Sequence, residues 1–181
     1  YSFLMGGILG STPIAEVKDL DYLFTEEERA AMWRASNIRR YALTGPSKPF
    51  GKVIISGVYP LVENIITTAD RAIANGDEQA TLRFAHDVTV IPLAALLGIK
   101  CANTVTDDWA NVGYKWRINE VTPMGANIQM VFYRSKKSDD ILLKVLHNER
   151  EQLLDSAVAT PVESVYYRWE DIKSYLLAQI K

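Results

Sequence analysis

Two adjacent residues, His86 and Asp87, are where this sequence could do chemistry. They separate a short apolar run, TLRFA, from a longer one, VTVIPLAALLG. The first run, bounded by a change of period, predicts a buried strand over residues 81–85. The second predicts a helix, with Pro92 tolerable near its first turn and Gly98 as terminator. A strand that turns into a helix would place both side chains at the carboxyl edge of a sheet, where α/β proteins bind ligands. The helix amino terminus adds unpaired N–H groups and partial positive charge, so together with an imidazolium at His86 it would attract a phosphate dianion. Asp87 supplies a complementary function: a protonated carboxyl can give its proton to a departing alcohol, which otherwise leaves as an unstable alkoxide. Like-charge repulsion from the phosphate would keep that acid protonated until it is needed. Thr89 either donates to the phosphate or caps the helix. On spacing alone, the pair also fits a satisfied core histidine beside a helix-capping aspartate.

The remaining candidates are few. His147 is the only other histidine, and its place on a predicted strand between Leu146 and Asn148 gives it a structural or hydrogen-bonding role. Cys101 stands alone, which excludes an internal disulfide and any multi-cysteine zinc site, and no metal-ligand cluster is visible. Strand alternation puts Arg83 on the side opposite Leu82, Phe84 and His86, where it anchors a carboxylate or covers the helix layer. Trp109 and Trp116 either cover a core edge or stack on a ligand, the first being the plainer reading. Glu120 is too isolated to assign.

The elements that must position these residues follow from patterning. With 181 residues, 48% hydrophobic and 23% charged, the chain has room for a substantial core. Its net charge of −2 leaves no excess of cations for a nucleic-acid backbone, and no apolar stretch approaches the ~20 residues of a membrane span. The first ten residues, YSFLMGGILG, are apolar but lack the basic flank and cleavage pattern of a signal peptide.

Thr25 and Glu28 form a capping-box pattern ahead of a helix over 26–42, with Ala31, Ala35, Ile38 and Ala42 facing inward and Arg29, Arg39 and Arg40 in water. Gly45 to Gly51 reads as a loop that fits no phosphate-binding pattern. Leu61, Val62, Ile65, Ile66, Ala69, Ala72 and Ile73 then mark a packed helix between Pro60 and Gly76. ANIQMVFYR and DILLKVLHN predict a hairpin, and WEDIKSYLLAQIK a closing helix with Ile172, Tyr175, Leu176 and Ile180 inward. The sum is a mixed α/β arrangement in which residues 1–80 are mostly helical and residues 81–181 carry the His-Asp motif.

LRFAHDVTVIPLAALLGI resembles the C-terminal catalytic motif of the histidine acid phosphatase family: a hydrophobic strand, His-Asp, then an apolar helix. LFTEEERAAMW, the long helix leading into ATLRFAHD, TPMGANIQMVFYR and ILLKVLHNERE resemble, in the same order, the phytase-like and multiple inositol polyphosphate phosphatase branches. The likeness runs from about Leu23 onward. It implies the C-terminal part of a histidine-phosphatase (phosphoglycerate mutase-like) α/β fold, with helices packed on a mixed sheet. It also implies a phosphomonoester hydrolase that needs no cofactor, with His86 on the phosphate and Asp87 as proton donor. A periplasmic or secreted location follows from the same likeness.

Two departures shape what carries over. The inositol polyphosphate branch usually has His-Ala-Glu at this junction, whereas His86-Asp87-Val88 leans toward the broader acid phosphatase and phytase pattern, leaving the phosphate ester open. The family's nucleophile lies in an Arg-His-Gly-x-Arg motif that does not occur here. The resemblance therefore implies the C-terminal part of a larger enzyme, nearly inactive without its N-terminal half, with exposed sheet edges that this half or a second copy would cover. The alternatives are an interaction module that kept the fold and uses the Trp109–Trp116 region, and an α/β domain in which His-Asp is incidental.

Overall fold

The structure, a computed structural model, describes residues 23–180 apart from Asp77 and Lys137. The reading of YSFLMGGILG lies outside the described residues. Helix α1 (Glu26–Thr44) opens with the expected capping box: the Thr25 hydroxyl accepts from the Glu28 N–H at 3.2 Å, and the Glu28 carboxylate accepts from the Thr25 N–H at 2.9 Å. Its inward face is not the expected one. Asn37, Tyr41 and Thr44 are buried, while Ala31 and Ala35 are exposed. Polar groups that complete hydrogen bonds can enter a core at little cost, and here they do so. The Asn37 amide donates to the Trp116 carbonyl at 2.9 Å and accepts from the Ile118 N–H at 2.8 Å. Tyr41 Oη accepts from the Thr106 N–H at 2.7 Å and stands 3.2 Å from the Thr104 and Thr106 carbonyls, either of which its hydroxyl can donate to.

A short helix, α2 (Gly51–Ser56), follows the proline-rich loop, and α3 (Tyr59–Asn75) carries Pro60 in its first turn. Gly76, at φ 71°, ends α3 in the left-handed conformation that glycine adopts without penalty. Val62 and Ile66 are buried, with Ala69 and Ile73 packed beside them. Helix α4 (Asp87–Leu96) buries Ile91, Ala94, Ala95 and Leu96. Pro92 lies in its interior rather than near its first turn, where it cannot donate to the Val88 carbonyl.

After a 3-10 turn at Trp109–Asn111 come two single-turn helices, α5 (Val112–Lys115) and α6 (Ile118–Val121). The sheet comprises β1 (Ile128–Ser135), β2 (Ser138–His147), β3 (Arg150–Glu151) and β4 (Tyr166–Arg168). β1 and β2 form the expected hairpin, from Ile128 opposite His147 to Ser135 opposite Ser138. β3 and β4 share the other edge of β2. Every strand pairing among the described residues is antiparallel, where the sequence suggests a mixed sheet. Leu143 and Val145 of β2 face the core together with Ile172 and Leu176 of α7 (Trp169–Gln179). The Trp169 indole N–H donates to Asp70 of α3 at 2.8 Å, tying α7 to α3. One hydrophobic cluster joins Tyr41, Val62 and Ile66 to Ile91, Leu143 and Trp169.

The expected strand over 81–85 is not formed. Residues 78–86 are neither helix nor strand, and Leu82 and Phe84 are 79% and 94% exposed. An extended apolar run becomes a buried strand only where another strand and a covering layer meet it, and no described strand pairs with this one. Arg83 secures the segment instead, donating to Asn64 at 2.8 and 3.2 Å and to the Thr68 hydroxyl at 3.0 Å. This is the helix-layer alternative for Arg83, made through an amide and a hydroxyl rather than a carboxylate.

Candidate functional site

His86 stands at the amino terminus of α4 with extended backbone (φ −88°, ψ 166°). Its carbonyl starts the helix by accepting from Thr89 and Val90, while its exposed imidazole makes no capping hydrogen bond. Asp87 begins the first turn, where a carboxylate is favoured by the helix dipole. Its Oδ1 accepts from the Val88 N–H at 2.9 Å, and its Oδ2 lies 3.0 Å from Nη1 of Arg40. Thr89 is half-buried in the same turn, and its hydroxyl has no hydrogen-bond partner among the described residues, so it does not cap the helix.

Arg40 is the residue that sequence patterning missed. It was expected in water; instead it pairs with Asp87, both side chains keeping about a third of their exposure (35% and 36%). Its place is set by the unexpected face of α1, since Arg40 lies three residues after Asn37 and immediately before Tyr41. Both are hydrogen-bonded to the segment after α4, so α1 is fixed in register with the helix that carries Asp87. The available signal was the polar and aromatic stripe Asn37, Tyr41, Thr44, with spacings of four and three.

The result is an open site in which a guanidinium meets one carboxyl at a helix amino terminus, with the exposed His86 as the preceding residue. Arg40 is turned to the carboxyl; the helix amino terminus suits a phosphate oxygen, and the carboxyl suits proton transfer to an oxygen bound to that phosphate. An open cleft of about 410 Å³ lies elsewhere, lined by Tyr133, Leu142, Val162, Glu163 and Tyr166. None of the candidate residues touches it, and the carboxylate of Glu163 would repel an anion there. Among the described residues, no group of three His, Cys, Asp or Glu could hold a metal ion, and no helix is long and apolar enough to cross a membrane.

The second histidine is architectural. His147 Nε2 lies 2.8 Å from the Val121 carbonyl, which requires an N–H at Nε2 and leaves Nδ1 to accept from the Cys101 thiol at 3.6 Å. Burial pushes the His147 imidazole below the ordinary histidine range, against a smaller opposing effect of the Val121 carbonyl. Burial, with a smaller contribution from the negative charge of Glu120, pushes the Cys101 thiol up. Both groups are thus held neutral. The tryptophans cover the core: Trp116 is 1% exposed with its indole N–H on the Ala102 carbonyl at 3.3 Å, and the Trp109 ring lies 5.9 Å from that of Tyr41. Trp116 is therefore closed to a partner's surface.

A family model described as histidine phosphatase superfamily (branch 2) matches residues 13–148. Solved structures of a multiple inositol polyphosphate phosphatase from Bifidobacterium longum are also similar. The apo form shares 29% identity over 88% of this chain with a TM-score of 0.75, the phosphate complex 31% over 81% with 0.71, and the inositol hexasulfate complex 32% over 78% with 0.68. The chain spans about a third of the length of those proteins, at 35%, 31% and 30% respectively. No match was found among curated proteins. The fold and the family match agree, and the chain belongs to branch 2 of the histidine phosphatase superfamily.

Proposed function

We infer that this chain is the phosphate-binding, acid-bearing part of a histidine acid phosphatase that hydrolyses phosphate monoesters through a phosphohistidine. The observation that carries this reading is the His86–Asp87 pair at the amino terminus of α4, with the Asp87 carboxyl held by Arg40 and the Val88 N–H. In this reading His86, with Thr89 beside it, contacts the phosphate. A histidine outside this sequence attacks phosphorus in line as Asp87 protonates the leaving oxygen. Water then hydrolyses the phosphohistidine. Covalent catalysis of this kind divides one hard displacement into two easier ones.

The nucleophile must come from elsewhere because His86 and His147 are the only histidines, and His147 is buried and hydrogen-bonded. The exposed Leu82 and Phe84, with the unpaired backbone around them, support pairing with the nucleophile-bearing part of the same protein. In this reading residues 81–181 carry the catalytic α/β part, and the described helices before residue 80 pack on it. The similar Bifidobacterium structures, one of them bound to inositol hexasulfate, make inositol polyphosphates the first substrates to test, while His86-Asp87-Val88 keeps simpler phosphate esters in the panel. A periplasmic or secreted location rests on resemblance alone.

The test is co-production of the chain with a polypeptide carrying the Arg-His-Gly-x-Arg motif of its parent reading frame, followed by phosphate-release assays at acidic pH. The assembly should turn over and the chain alone should not. Absence of turnover in a well-folded assembly would refute the reading.

A further inference from the structure

We propose that Arg40 is a positioning residue for the Asp87 proton donor, aiming the carboxyl and carrying the negative charge that develops on it as its proton leaves. The proposal rests on the reading of Asp87 as the acid. A free aspartate at a helix amino terminus samples several rotamers, only some of which point toward a substrate. Here both oxygens are engaged from opposite partners, Oδ1 by the Val88 N–H at 2.9 Å and Oδ2 by Arg40 Nη1 at 3.0 Å. The helix that carries Arg40 is docked through Asn37 on Trp116 and Ile118 and through Tyr41 on Thr106. The helix that carries the guanidinium is thus fixed in the scaffold beside α4.

The charge changes make such a cation useful. In the reading of Asp87 as the acid, the step begins with its proton in place and with the phosphate ester bound as a dianion. During it, the bond from phosphorus to the leaving oxygen breaks, the bond from the nucleophilic imidazole to phosphorus forms, and the Asp87 proton moves to the leaving oxygen. Asp87 ends as a carboxylate facing Arg40. A cation fixed where negative charge appears lowers the barrier without reorganisation at the moment of reaction. The benefit depends on the leaving group. A 4-nitrophenolate leaves without help, so neither Asp87 nor Arg40 should matter to its departure, whereas an alkyl alkoxide needs both.

The experiment measures kcat and KM of the assembled enzyme for 4-nitrophenyl phosphate and for an alkyl phosphate. The variants are Asp87→Asn, Arg40→Ala, Arg40→Lys and the double variant Arg40→Ala/Asp87→Asn. Asp87→Asn should lower kcat on the alkyl ester by about 10²-fold or more, the usual scale of general acid catalysis. Arg40→Ala should lower it by about 10- to 100-fold, the scale of a misplaced catalytic group, with kcat on the nitrophenyl ester within about threefold of the original. Arg40→Lys should recover part of the loss by restoring the charge, and the double variant should be no slower on the alkyl ester than Asp87→Asn. Equal losses of kcat on both esters from Arg40→Ala, no loss at all, or fully additive losses in the double variant would overturn the proposal while leaving Asp87 as the acid. If Asp87→Asn treats the two esters alike, the acid assignment falls and the proposal with it.

Discussion

Replacing Asn37 by alanine should destabilise the protein more than truncating any of its exposed neighbours on α1, although the residue is polar and its helix is largely wet. Asn37 is fully buried and makes two long-range hydrogen bonds, to the Trp116 carbonyl at 2.9 Å and from the Ile118 N–H at 2.8 Å. Alanine would leave a buried acceptor and a half-buried donor without partners, each costing ~1–3 kcal/mol. About 3 kcal/mol for the pair is a reasonable working figure. For a chain of this size it corresponds to a fall in Tm of about 6–12 °C. Ser36→Ala, one residue away on an exposed position, is the control and should change stability by less than about 0.5 kcal/mol. The assay is urea and thermal unfolding followed by circular dichroism and by tryptophan fluorescence, since Trp116 and Trp33 report on the same corner. A loss below about 1 kcal/mol, or one no larger than that of Ser36→Ala, would show that α1 is not docked through this amide. The placement of Arg40 would then lose its support.

Other expectations concern the surroundings of the site. Folding keeps His147 neutral by depressing its proton affinity, so the unfolded chain binds more protons than the folded one. That contribution is fully present above the ordinary histidine value near 6.5 and is lost as pH falls below it; urea midpoints should drop between about pH 7 and pH 5, and His147→Gln should flatten that slope. Gly98, at φ 71°, ends the apolar run after Asp87, and a Cβ there would meet Val158 Cγ2 at 2.5 Å and Asp155 N at 3.1 Å. Gly98→Ala should cost about 2–3 kcal/mol in chemical unfolding, against about 1 kcal/mol for Gly76→Ala, which shares the φ but opens on empty space. Replacing Leu82 and Phe84 by serine should leave the unfolding midpoint of the isolated chain within about 0.5 kcal/mol yet weaken co-purification with the nucleophile-bearing part; unchanged co-purification would show that these side chains face water in the assembly too.

Local signals in the sequence carried what they carry in general. The Thr25–Glu28 box, the Pro60 and Gly76 boundaries, the 128–147 hairpin and the closing helix each follow from hydrogen-bond or periodicity rules that act within a few residues. What failed needed tertiary information. Alanines look like the inner face of α1 because hydropathy ignores hydrogen bonds, yet Asn37 and Tyr41 enter the core with partners 63 to 81 residues away. The Arg40–Asp87 pair spans two helices and leaves no trace in spacing. TLRFA has the composition of a buried strand, but composition does not say what lies beside it, and Phe84 is exposed because no described strand does.

The central claim is that Asp87 delivers a proton to the leaving oxygen. Its most direct test is the dependence of turnover on leaving-group basicity, measured with a series of aryl and alkyl phosphates for the assembled enzyme and for its Asp87→Asn variant. A shallow dependence in the original and a steep one in the variant, with the two converging for the most acidic phenols, is the predicted result. Parallel dependences separated by a constant factor would contradict it.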